Sequence, residues 1–299
     1  MTPRELGFLL LASTLGNPER KPLTVPQLRD LAARAATLPY PPAEKELEEA
    51  DLISIGCSRS AALRILSLLS DQDLLKGYLR RGVQQDCYPI TRVSPGYPEC
   101  LRTLLGTNSP AVLWAKGDPT LLTHPAISAV GSRELQPDNL VFAKEIGKQA
   151  ALQGYVLVSG NARGADKTAQ ESCLAHGGKV ICVVADALEK CPLQKNVLYL
   201  SENGYDLAFS AQRALSRNHI IHCLGEKVFV AQCTLEKGGT WSGAVSNLQH
   251  NRRPVFCFDD GSAAIQELLQ MGASPVNIPA LQDLSSLQSD VISFIDEQH

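Results

Sequence analysis

The segments Gly131-Ser132-Arg133 and Ser159-Gly160-Asn161-Ala162-Arg163-Gly164-Ala165-Asp166 each combine glycine, a hydroxyl and an arginine. Glycine permits a close backbone approach, serine donates to an oxyanion, and arginine supplies a fork of charged donors. The set suits holding a phosphate or another anion. Glycine and serine recur in any strand-to-helix turn, so one loop alone is ambiguous; two, each with an arginine, favour an anionic ligand. Arg163 has a structural alternative, an ion pair with Asp166 three residues on. Asp166, at a helix start, is read as a cap or ion-pair partner and not as a base.

Two later clusters extend the set. Ser216-Arg217-Asn218-His219-Ile220-Ile221-His222 offers a cation, an amide and two imidazoles, and Lys237-Gly238-Gly239-Thr240-Trp241-Ser242-Gly243 is a further anion-binding turn at a helix start. Arg133, Arg163, Lys167, Lys195 and Arg217 are the candidate cations, Asn196 and Asn218 the candidate amides, and Trp241 is expected buried in its turn rather than stacked on a ligand. His219 and His222, at i,i+3 spacing, lack a third metal ligand and read as a solvated or hydrogen-bonded pair. No GxGxxG fingerprint follows Val130 and no GxxxxGK[ST] loop is present, so neither NAD chemistry nor ATP hydrolysis is indicated and no cofactor is expected.

These residues need a scaffold that brings loops together. Ala126–Val130, Tyr155–Val158, Val180–Val184, Lys227–Ala231 and Pro254–Phe258 read as buried strands, alternating with helical stretches over 140–153, 167–176, 211–224, 242–250 and 263–271. That alternation implies an α/β fold, a Rossmann-like parallel sheet with helices on both faces, over residues 126–280. Ligands of such sheets bind at the carboxyl ends of the strands, where the clusters fall. Residues 1–85 read as a small preceding helical domain, with Asp51–Gly56 and Ser58–Leu69 as a helix, glycine turn and helix of the helix-hairpin-helix or sterile-alpha-motif kind. Loop signals fall at Gly16-Asn17-Pro18 and Leu38-Pro39-Tyr40-Pro41-Pro42. Residues 86–125, proline-rich, read as an extended connector, and 281–299 as a C-terminal tail or helix.

Composition narrows the function classes. Nine cysteines without a CxxC pair suggest neither a zinc cage nor a disulfide framework, and fit a reducing, cytoplasmic compartment. No apolar run approaches the roughly 18 to 20 residues of a membrane span. From Ala126 onward 18 acidic residues face 14 basic ones, so any polyanion must be held by a local cluster, without a global basic field.

In order, Ala129-Val130-Gly131-Ser132-Arg133, Ser159–Asp166 and Arg217-Asn218-His219-Ile220-Ile221 resemble the DNA-processing DprA (Smf) family. Ser94-Pro95-Gly96-Tyr97-Pro98 and Leu113-Trp114-Ala115-Lys116-Gly117 resemble that family's approach to its Rossmann-like domain. The resemblance, over about 86–271, implies a non-catalytic single-stranded DNA-binding protein of DNA processing, recombination or transformation, a homodimer that helps load RecA. Arg217-Asn218-His219 stands where the family usually has Arg-Asn-Arg, Gly238–Gly243 where it has Ser-Gly-Ser, and Cys191-Pro192 with Asn196 where it has Tyr-Pro before an Asn. The Gly-Gly-Thr turn is also reminiscent of lysine-decarboxylase-like nucleotide-binding proteins. That leaves a nucleotide-derivative sensor or a nucleoside-monophosphate-cleaving enzyme as the alternative, although the carboxylate expected after that turn is replaced by Trp241.

Overall fold

The computed structural model describes residues 1–39 and 46–289; part of the predicted loop at 38–42 and most of the predicted 281–299 tail lie outside them. Five helices come first: α1 (Pro3–Ala12), α2 (Val25–Ala35), α3 (Glu49–Ser54), α4 (Arg59–Ser70) and α5 (Gln72–Gln84). Thr2 and Thr24 start α1 and α2 with capping boxes and a proline in the first turn. The predicted helix, turn and helix are α3 and α4, joined at Gly56, whose φ of +86° suits glycine.

The sheet domain follows as β1 (Cys87–Thr91), α6 (Glu99–Leu105), β2 (Val112–Gly117), β3 (Ala126–Val130), α7 (Pro137–Leu152), β4 (Val156–Ser159), α8 (Ala165–Ala175), β5 (Lys179–Val183), β6 (Val197–Glu202), α9 (Ala211–Leu224), β7 (Val228–Val230), α10 (Gly238–Gln249), β8 (Val255–Phe258), α11 (Ala263–Gln270) and β9 (Ser274–Val276). The nine strands lie in the order β1-β2-β6-β5-β4-β3-β7-β8-β9. From β6 to β9 every pairing is parallel, as the strand-helix alternation requires. The chain builds outward from β3 to β6 on one side, then returns to add β7, β8 and β9 on the other. Strand order therefore switches between β3 and β7, and the loops leaving these strands diverge to open a crevice.

Two differences from the sequence-based expectation concern the other edge. The stretch 86–125, read as a connector, carries β1 and β2, which pair antiparallel with each other and with β6, so the sheet is mixed at that edge. Pro89 is tolerated because it lies on the edge strand β1. β6 itself was not anticipated, because the segment from β5 to β6 holds only a short 3₁₀ turn, Leu188–Lys190, in place of a crossover helix.

Helices cover both faces, and the core divides accordingly. On one face Phe142, Ile146, Ala169 and Cys173 of α7 and α8 pack beneath Leu157, Phe229 and Phe256. On the other, Ile220, Ile221 and Cys223 of α9 pack with Val130, Val158, Val230 and Ala244. The helical segment joins the first of these: Tyr78 of α5 contacts Trp114 and Tyr205 at ring-centroid separations of 5.1 and 4.6 Å, and its hydroxyl donates to Asp206 at 2.6 Å. One apolar cluster therefore spans residue 85.

Candidate functional site

At the switch point three loops meet, and missing side chains let them meet closely. A Cβ on Gly131, just past β3, would stand 2.5 Å from Ala165 Cβ and 3.3 Å from Ala231 Cβ. Gly164, at φ +86°, has no room for a Cβ beside the Ser132 carbonyl. Backbone hydrogen bonds then tie the loops: Ser132 N to the Gln232 carbonyl (2.9 Å) and Ala165 N to the Ser132 carbonyl (3.1 Å). Thr240 Oγ1 donates to the Gly131 carbonyl at 3.0 Å, and Asn218 Nδ2 to the Gly239 carbonyl at 2.9 Å. Gly131, Ser132, Gly164, Gly239 and Thr240 thus build a held floor from backbone.

Beneath it lies a charged pair the sequence did not join. Asp166 Oδ2 accepts from the N–H groups of Gly160 (3.1 Å) and Ala162 (3.2 Å), so it ties the loop before α8 instead of capping the helix start, where Gly164 is the N-cap without a side-chain bond. Its ionic partner is Arg217 of α9, 4.0 Å away, with the two side chains 7% and 10% exposed. Burial pushes the Asp166 carboxyl up, opposed by Arg217 and the two loop N–H groups. The alternative Arg163–Asp166 pair does not form: Arg163 lies exposed in the loop before α8 and meets Glu134 at 2.7 Å, whereas Asp166 bonds back to that loop. A Cβ on Gly160 would occupy the place of the Arg217 guanidinium, so glycine here leaves that side chain its position. Among the described residues nothing accepts from Arg217 Nε, so this buried cation is incompletely satisfied by the protein.

Above the pair opens a cleft of about 660 Å³ lined by Gly131, Ser132, Arg133, Arg217, Asn218 and the Lys237–Thr240 turn, with Glu134 and Asp166 as its carboxylates. Phe209 and Leu215, 55% and 49% exposed, flank it. Sequence reasoning missed Phe209, which lies in an irregular segment ahead of α9; an exposed aromatic carries no periodic signal. Trp241 is half-buried against the core, in keeping with the turn-packing expectation.

Several candidates lie elsewhere. Ser159 is fully buried and cannot reach a ligand. Lys167 is exposed on α8, outside the cleft lining. Lys195 and Asn196 precede β6 and therefore lie at the amino ends of the parallel strands, in a separate hollow with Asp86, Asp118 and Lys179. A loop before a strand and loops after strands cannot share one mouth.

Of the two histidines expected to be solvated or hydrogen-bonded, His219 is half-buried with Nδ1 3.5 Å from Arg252 Nη1, whereas His222 departs from the expectation. His222 is 1% exposed and neither ring nitrogen has a partner among the described residues. Burial pushes its imidazole down to about 3, with His219 and Arg252 adding to the effect. Burial lowers His219 as well. In the unfolded chain both take up protons near pH 6.5. Below that pH the unfolded state binds more protons, so stability falls as pH drops from about 6.5 toward 3. The melting temperature is expected to be lower at pH 5 than at pH 7. His222→Leu should remove much of the difference, each such histidine contributing up to roughly 1.4 kcal/mol per pH unit. Calorimetry of both proteins across that range checks it.

Among the described residues no helix is long and apolar enough to cross a membrane. The family model described as DNA recombination-mediator protein A matches residues 89–285. The DNA processing protein DprA of Bacillus subtilis (strain 168) is 29% identical over 218 residues, covering 68% of this chain and 71% of that protein. The X-ray structure of DprA from Streptococcus pneumoniae is similar with a TM-score of 0.68 and 25% identity, covering 92% of this chain and 95% of that one. DNA processing protein A from Helicobacter pylori, solved to describe its single-stranded DNA binding mode, has the same fold, with a TM-score of 0.55, 24% identity and coverage of 66% and 94%. With a family model spanning about two thirds of its length and an overall fold similar to the Streptococcus pneumoniae structure, the chain belongs to the DNA recombination-mediator protein A family.

Proposed function

We propose that the cleft at the β3 and β7 carboxyl ends binds single-stranded DNA, with phosphates against Arg133, Arg217 and Lys237 and bases against Phe209. The observation that carries this is Arg217, a guanidinium nine-tenths buried at the base of the cleft, whose Nε has no acceptor among the described residues. An anion arriving there completes a desolvated ion site, where charge-assisted hydrogen bonds are strongest. Cations with flat apolar surfaces are what sequence-tolerant single-strand binding uses. The Helicobacter pylori relative's single-stranded DNA binding supports the same ligand. Binding here is proposed without turnover: the Asp166 carboxylate is committed to two loop N–H groups and faces the Arg217 guanidinium, which gives it a part in holding the loop. A homodimeric assembly and the loading of RecA, implied by the family, belong to the same proposal.

Glu134 tests the charge balance of the rim. It holds Arg163 and adds a negative charge beside Arg133. Glu134→Gln frees Arg163 and removes repulsion, so affinity for labelled oligodeoxythymidine at low salt should rise about two- to threefold, the size of one exposed ionic interaction. Fluorescence anisotropy reads it, and weaker binding than wild type would count against the proposed path of the DNA.

A further inference from the structure

The exposed aromatic of the cleft is set in place from outside the cleft. Phe209 ends the stretch 203–209, which leaves the carboxyl end of β6 and enters α9 without a helix or strand to stiffen it. Such a loop loses conformational entropy when a ligand orders it, unless the fold has already fixed it. Here the fold pins it at both ends. At the far end Arg213 of α9 donates to the carbonyls of Leu207 (2.7 Å) and Ala208 (2.9 Å), and Asp186 Oδ1 accepts from Phe209 N at 3.1 Å.

The near end is held by the helical segment. Tyr205 stacks on Tyr78 of α5 and its hydroxyl donates to the Tyr78 carbonyl at 3.1 Å, while the Tyr78 hydroxyl donates to Asp206 Oδ1 at 2.6 Å. The fit is close: a Cβ on Gly204 would stand 3.0 Å from the Tyr78 hydroxyl, and one on Gly16, in the turn after α1, 3.0 Å from Asp206 Oδ2. Phenylalanine at 78 would fill the same core space, and what the tyrosine adds is a buried hydroxyl whose partner lies on the loop three residues before Phe209. Tyr78 is itself fully buried and outside the cleft lining, so it acts on a ligand only through what it holds. We infer that Tyr78 is a positioning residue for Phe209, so that the helices before residue 85 set the DNA affinity of the cleft without touching the DNA. This rests on the DNA-binding function proposed above.

The test is a double-mutant cycle in the full chain, read by fluorescence anisotropy with labelled oligodeoxythymidine. Phe209→Ala is expected to lose about tenfold in affinity, the size of one base contact. Tyr78→Phe, which keeps the stacked ring and removes only the hydroxyl, should lose about three- to tenfold, the reach of one hydrogen bond, with the salt slope unchanged because no phosphate contact is lost. In the Phe209→Ala background the same substitution should change affinity by less than about twofold, since nothing is left to position. Asp206→Ala breaks the bond from the loop side and takes the place of Tyr78→Phe in the cycle if that variant does not fold. Asp206→Asn retains an acceptor and should bind within about twofold of wild type. An equal loss in both backgrounds, or no loss in either, overturns the positioning role and leaves the DNA-binding function standing. Phe209→Ala binding as tightly as wild type overturns it by removing Phe209 from the site. Failure of wild type to bind at low salt refutes the DNA-binding function and this inference together.

Discussion

Arg217→Ala is expected to lower both stability and DNA affinity, the former by about 3 to 5 kcal/mol, the usual cost of leaving one member of a buried ion pair alone. Asp166 would keep its two loop N–H donors but lose its counterion, at 7% side-chain exposure. For a chain of this length the melting temperature should fall by roughly 10 °C. The loss of affinity must be separated from the loss of fold. Combining Arg217→Met with Asp166→Asn removes both charges and keeps most of the volume, so it should recover most of the stability, as hydrophobic replacement of buried ion pairs often does. DNA binding should not recover with it. Recovery of both would make Arg217 a structural residue only.

The second large effect concerns the exposed cations. Arg133 and Lys237 approach the cleft from the loops after β3 and β7, and neither side chain makes a hydrogen bond or ion pair with a described residue. Arg133→Ala with Lys237→Ala should leave the melting temperature within about 1 °C of wild type, as surface changes usually do. Affinity for oligodeoxythymidine should fall by at least about tenfold. For single strands each phosphate neutralised contributes about 0.7 to the log-log salt slope, so the slope should flatten by roughly 1.4. An unchanged slope would remove these side chains from the interface whatever the affinity did.

The strand-helix alternation was legible from Ala126 onward because each buried parallel strand is a short apolar run and each crossover helix keeps its period. The bounds of β3 and α9 fall where the pattern predicts. The antiparallel edge was not legible, since β1 and β2 lie among prolines and their partner β6 follows β5 without a helix between. The loops after β3, β4 and β7 converge as their positions after strands imply. What local spacing could not supply was pairing at a distance. Asp166 belongs to α8 on one face of the sheet and Arg217 to α9 on the other, a pairing that no local spacing shows. Lys195 and Asn196 lie at the end of the sheet opposite the cleft, a distinction that depends on recognising β6. His222 was visible as a residue, but its burial and lack of partners arise from the packing of α9 against α10.

The location of the DNA is the central claim, and photocrosslinking tests it most directly. Oligodeoxythymidine carrying photoreactive thymine analogues is bound to the full chain, irradiated and digested, and the crosslinked peptides are identified by mass spectrometry. Crosslinks are expected in Gly131–Gln136, Phe209–Asn218 and Lys237–Trp241, the segments that surround the carboxyl-edge cleft. Crosslinks confined to the amino-edge hollow around Lys195, or to the helices before residue 85, would contradict it.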